Sequence, residues 1–175
     1  MSTITVKELA APTGYDLKIA AGETLDLKSQ GTVTMPTGSV LQVVEATPSN
    51  TAGSTSSTSY VDVISGSITP SATSSKIMVY FVTSANTTTS TGNNTSFTLF
   101  RGSTNTSGGN GDCVSRKDSD GTGNPFTAVI NKLDSPSTAS SVTYTIKCKQ
   151  ESGGGDSFWS YQGGGTYLTL MEVAG

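Results

Sequence analysis

The sequence predicts an all-β protein: an antiparallel β-sandwich of jelly-roll type preceded by an extended β arm. Three observations carry this expectation. Val, Ile, Leu, Tyr and Phe come in short blocks separated by runs of Gly, Ser, Thr and Asn. Within the blocks, apolar and polar residues alternate with the strand period of two, and no stretch repeats at the helical 3.6. Ser and Thr make up roughly a third of the chain, far above average usage, while charged residues are only 13%. The loops are thus polar without being charged. The 175 residues suit one domain plus an appendage, placed at 39–175 for the head and 1–38 for the arm.

The arm reads as four short blocks. Ile4 and Val6 alternate ahead of the Pro12-Thr13-Gly14 turn, and Tyr15, Leu17 and Ile19 follow it. Leu25 and Leu27 come after Ala21-Gly22-Glu23, and Val33 and Met35 after Gln30-Gly31. Each block has one apolar face, and a single chain of such hairpins has nothing to pack on. Ile4, Val6, Leu17, Ile19, Leu25, Leu27 and Val33 are therefore the expected attachment surface.

The head opens on Val40–Glu45, a nearly continuous apolar run behind a Pro/Gly turn. It is expected to be the first core strand, buried on both faces or entering the sandwich. Tyr60–Ile64 follows as a strand, with Ser65–Pro70 turning away from it. Lys76–Val82 is the most apolar segment and should be central. Further strands are expected at Phe97–Arg101, Phe126–Ile130 and Val142–Cys148, with at most a short one near Cys113 in a long polar loop. Gly153–Gly165 carries Phe158, Trp159 and Tyr161. The closing strand Thr166–Val173 is too apolar for a frayed end and should lie inside a sheet. With 33% hydrophobic residues the core is thin, and small cores need extra burial. A cyclic trimer, or docking onto a larger shell, would supply it.

Chemistry is mostly excluded. The chain has no histidine, which removes the commonest general base and metal ligand. The acids are dispersed, so no enzyme is expected and no cofactor implied. The densest cations, Arg116-Lys117, run straight into Asp118, and the net charge is −3, which argues against nucleic acid. No apolar run reaches membrane-spanning length, and the first residues lack a signal peptide's pattern, which places synthesis in a cytoplasm. Asp118, Asp120 and Asn124 offer hard oxygens on a tight loop, a candidate calcium set, although a solvated Asp/Gly turn is the simpler reading. Trp159 and Tyr161 are candidates for binding a surface, with core packing the alternative. Cys113 and Cys148 either close a loop or are separate thiols. Cys148 alternates with Tyr144 and Ile146 and so should face the core.

The order of these signals resembles structural proteins of tailed bacteriophages, especially the short fibre-type proteins of marine phages. The matching pieces are Met35-Pro36-Thr37-Gly38-Ser39-Val40-Leu41-Gln42-Val43-Val44, Thr58–Asp62 and Ser67-Ile68-Thr69-Pro70. Ser74–Val79, Leu99–Ser103, Leu133-Asp134-Ser135-Pro136, Val142-Thr143-Tyr144 and the ending Leu168–Val173 complete the set. The likeness covers nearly everything from Met35 onward. It implies a homotrimeric, non-enzymatic component of the virion's outer surface. Its N-terminal part would bind other capsid or tail proteins, and its head would face a host surface glycan or protein. A capsid decoration protein that clamps the shell is the alternative within this class, and a lectin-like adhesin lies outside it.

Overall fold

The computed structural model describes residues 13, 21–22, 35–49, 51–87, 94–106, 115–118, 125–151 and 155–175. The chain divides into two compact units, Met1–Thr34 and Met35–Gly175. The blocks expected in the first unit, with all seven attachment residues from Ile4 to Val33, lie outside the described residues.

The second unit is all-β and antiparallel. Its strands are β1 (Val40–Glu45), β2 (Gly53–Thr55), β3 (Val61–Ile68), β4 (Lys76–Thr87), β5 (Asn94–Arg101) and β6 (Thr104–Asn105). They continue with β7 (Ser115–Asp118), β8 (Phe126–Asp134), β9 (Val142–Gln150), β10 (Ser157–Trp159) and β11 (Thr166–Val173), with one 3-10 turn at Tyr161–Gly163. One sheet runs β1-β11-β4-β10-β2, with β8 also on β4; the other runs β3-β9-β5-β6, with β7 also on β5. Both sheets send side chains into one core. Ile77, Val79, Phe81, Leu168 and Leu170 come from the first, and Phe97, Leu99, Tyr144, Ile146 and Cys148 from the second; all ten are fully buried. Phe81 and Phe97 meet across the sheets with ring centroids 6.0 Å apart. Gly66 sets the approach of β3 to β11. A Cβ there would lie 3.2 Å from Ala46 Cβ and 3.4 Å from Leu170 Cδ1, tighter than side chains ordinarily pack.

As expected, Lys76–Val82 lies in a central strand, and β11 lies inside its sheet between β1 and β4. Val40–Glu45 departs from expectation. β1 pairs only with β11 among the described strands, and Val40 and Val43 remain 54% and 58% exposed. Only Val44 packs against the core. The run is apolar on both faces, but just one face is covered within the described residues.

Several strands are longer than expected. Ser65–Ile68 continues β3 instead of turning, Thr83–Thr87 extends β4, and Asn94–Ser96 opens β5. These extensions are polar, yet Thr83, Thr87, Thr95 and Ser96 are buried. A buried hydroxyl is tolerated when it finds a partner. Thr83 Oγ1 lies 2.8 Å from Thr166 Oγ1 across β4 and β11, and Thr95 donates to Ser157 Oγ at 2.7 Å. Apolar alternation cannot reveal a strand whose inward positions are threonines.

Candidate functional site

The most unusual local geometry lies between β10 and β11. β8 pairs with β4 as far as Ala85 along one edge, so β10, which also pairs with Ala85, must share the other edge with β11. Trp159 stands opposite Ala85 and Thr166 opposite Thr83. Residues 160–165 therefore bulge out opposite Ser84 alone. Ser160 and Gln162 take left-handed φ of 50° and 54°, and Gly163 and Gly165 take 75° and 76°. For residues bearing a Cβ this conformation costs about 1–2 kcal/mol each. The β4 edge holds the loop in place: Ser160 N–H donates to Thr83 Oγ1 at 3.1 Å, and Ser84 Oγ donates to the Tyr161 carbonyl at 2.8 Å. Gly164 is required by contact, since a Cβ would sit 2.3 Å from Ser84 Oγ.

The bulge presents aromatic side chains. Phe158 and Tyr161 are half-buried, with ring centroids 6.0 Å apart, and Tyr167 is 41% exposed. Trp159 does not join them as an open face. Its ring packs against the core, and a Cβ on Gly53 would fall 2.2 Å from Trp159 Cε2. Strict alternation would have put Trp159 and Tyr161 on one side, but the left-handed Ser160 breaks that alternation. Phe158 thus becomes Tyr161's neighbour, a residue that reading alternation straight through Ser160 sets on the opposite side.

No protein-family model and no curated protein matches this sequence.

The outward faces of the two sheets differ in chemistry. On the β3-β9-β5 sheet the outward residues are mostly polar and tied together, with the Tyr60–Phe100 ring pair lying beneath the lysines. Lys147 pairs with Asp62 at 2.7 Å and lies over the Phe100 ring, 4.9 Å from its centroid. Lys149 lies 4.7 Å over Tyr60 and 3.8 Å from Glu151, which accepts a hydrogen bond from Ser96 Oγ at 2.7 Å. Ser67 and Thr143 share a hydrogen bond of 2.8 Å. This face suits water.

On the other sheet the pairing register aligns Val43, Met171, Met78 and Leu133 in one row across β1, β11, β4 and β8. A second row sets Tyr167, Val82 and Val129 side by side, and between the two lies a more polar row, Glu45–Thr169–Tyr80–Asn131. Leu133, Val129 and Tyr80 are 46%, 42% and 41% exposed. Among the described residues, the strand charges that alternation puts on this face are Glu45 and Lys76, both at its margins.

Titratable groups serve the fold. Glu172 is fully buried at the inward end of β11. Burial alone would raise its pKa, but hydrogen bonds from the Ser71 hydroxyl, Gln42 and the Ser71 N–H outweigh that and hold it at about 2. Ser71 N and Oγ both lie 2.6 Å from Oε1, and Gln42 Nε2 lies 2.6 Å from Oε2. At another position, Asp134 accepts from Arg101 and from the Tyr144 hydroxyl, both at 2.7 Å. Burial, and then the Asp134 hydrogen bond, push the Tyr144 hydroxyl far above its ordinary pKa.

Among the described residues no cluster of three or more His, Cys, Asp or Glu could hold a metal ion, and no helix is long and apolar enough to cross a membrane. The side chain of Asp118, together with Asp120 and Asn124, the calcium candidates, lies outside the described residues, as does Cys113. Cys148 faces the core as expected.

Proposed function

We propose that this protein is a non-enzymatic structural component of a tailed-phage virion. In this reading it is a homotrimeric exterior β-module of tail-fibre type, attached through its N-terminal arm (1–38), with the head (39–175) presented to the host surface. The observation that carries the reading is the unequal pair of outer faces: one polar and self-tied, suited to solvent, the other apolar and nearly uncharged, suited to neighbours. A freely diffusing globule has little use for the second face, whereas a repeating part of a particle does. The aromatic bulge at Phe158 and Tyr161 supplies a rigid, amphipathic contact of the kind that binds sugars or proteins.

Strand order supports a jelly-roll sandwich for the head. The sequence β1-β11-β4-β8 on one side and β3-β9-β5-β7 on the other is that of eight strands wound as two Greek keys, an architecture common in viral capsid and lectin domains. Architecture alone does not assign function, so the test is made on particles. Gel densitometry of purified phage should find the chain in the virion, at tens of copies or fewer for a fibre. Hundreds of copies would move the assignment to capsid decoration. Its absence from particles would contradict the virion reading altogether.

A further inference from the structure

We propose that the outward face of the β1-β11-β4-β8 sheet is the surface on which copies of this chain associate, so that it is buried at the axis of the trimer. The inference deepens the homotrimer reading and depends on it. The row Val43–Met171–Met78–Leu133 is apolar at every position across four strands, and beyond the mixed row that holds Tyr80 a second apolar row, Tyr167–Val82–Val129, follows. Four strands at a spacing of about 4.8 Å, over eight residues of about 3.4 Å each, cover on the order of 500 Å² before side-chain relief is counted. That is an upper bound on the whole face, polar row included, so what marks an interface here is the alignment of the two apolar rows and the scarcity of charge, and not area.

Charge selects the occupant. Interface centres are depleted of charge, and here the face carries only Glu45 and Lys76 at its edges among the strand residues described. A lipid surface would call for flanking Lys or Arg, yet the chain is acidic, with net charge −3. A glycan would call for hydrogen-bonding groups across the face; Tyr80, Thr169 and Asn131 supply them in one row only, and the row Val43–Met171–Met78–Leu133 offers none. A second and third copy bringing the same uncharged face meet it without desolvating an ion.

The test uses the full chain with Val43→Arg and Leu133→Arg, singly and together. Both side chains are already 58% and 46% exposed, so the protomer should fold, which far-UV circular dichroism and a thermal melt check. Ser65→Arg, on the exposed outward face of the other sheet, is the control. Sedimentation velocity should show a wild-type trimer and a Ser65→Arg trimer. Each of the other variants should weaken association by about a hundredfold, the effect of setting a charge into an apolar row that packs against another copy. Tyrosine nitration mapped by mass spectrometry should find Tyr80 and Tyr167 protected in the wild type and reactive in the double variant. A trimer that survives both substitutions, with Tyr80 equally reactive in all forms, overturns this inference and leaves the trimer reading standing. A monomeric wild type overturns both.

Discussion

Glu172 joins segments as far as 130 residues apart in the chain. Its carboxylate takes hydrogen bonds from Ser71 in the turn between β3 and β4 and from Gln42 on β1, and Gln42 also donates to the Thr69 carbonyl at 2.7 Å. A pKa held at about 2 against an ordinary 4.5 means that the ionised form is favoured in the folded state. The sign follows: the contribution is complete above the unfolded value and is lost as pH falls from about 5 toward 2, amounting to about 3 kcal/mol. Thermal melts between pH 6 and pH 2.5 should therefore fall steeply for the wild type and more shallowly for Glu172→Gln, which should be the less stable protein at pH 7. Parallel pH profiles would show that Glu172 carries no such linkage. The contact between Trp159 and Gly53 is steric. Gly53→Ala places a methyl group inside the indole ring's volume and should cost about 1–3 kcal/mol, read as a lower midpoint in denaturant. Neither contact was legible in the sequence. Gln42 read as a flaw in an apolar run, and Gly53 as one residue of a polar loop, because both roles depend on partners more than 100 positions away.

At the scale of elements, apolar blocks marked the strands but not their lengths. β11 matches its expected span because Leu168 and Leu170, between the buried polar ends Thr166 and Glu172, are apolar. β4 and β5 run on through inward threonines, of which Thr83 bonds to Thr166 of β11 and Thr95 to Ser157 of β10, and such pairing leaves no hydrophobic signal. β1 shows the converse: its composition is that of a core strand, but among the described strands it is paired on one edge and covered on one face. The bulge between β10 and β11 was signalled only by its glycines. Its strain makes a prediction. Gln162, exposed and at φ 54°, should accept glycine with a gain of about 0.5–1 kcal/mol, the left-handed penalty less the added chain entropy. A thermal midpoint that drops in Gln162→Gly would show that its side chain, and not its backbone, governs the loop.

At the scale of the whole molecule, composition leads to the expectation of a thin core that gains by extra burial. Much of the apolar side-chain surface of the β1-β11-β4-β8 sheet points away from the core, toward whatever covers that sheet. The sequence could register alternation within each strand. It could not show that four separate strands bring their second apolar face into the same plane, because that depends on register between strands far apart in the chain. This geometry is what links fold to the proposed function: a module with one mostly polar face, one largely apolar face and an aromatic bulge suits a part of an assembly. The measurement that tests that claim most directly is the native mass of the full chain in solution at micromolar concentration. The account predicts a species of three chains. A stable monomer of 17.9 kDa, with its apolar sheet open to water, would contradict it.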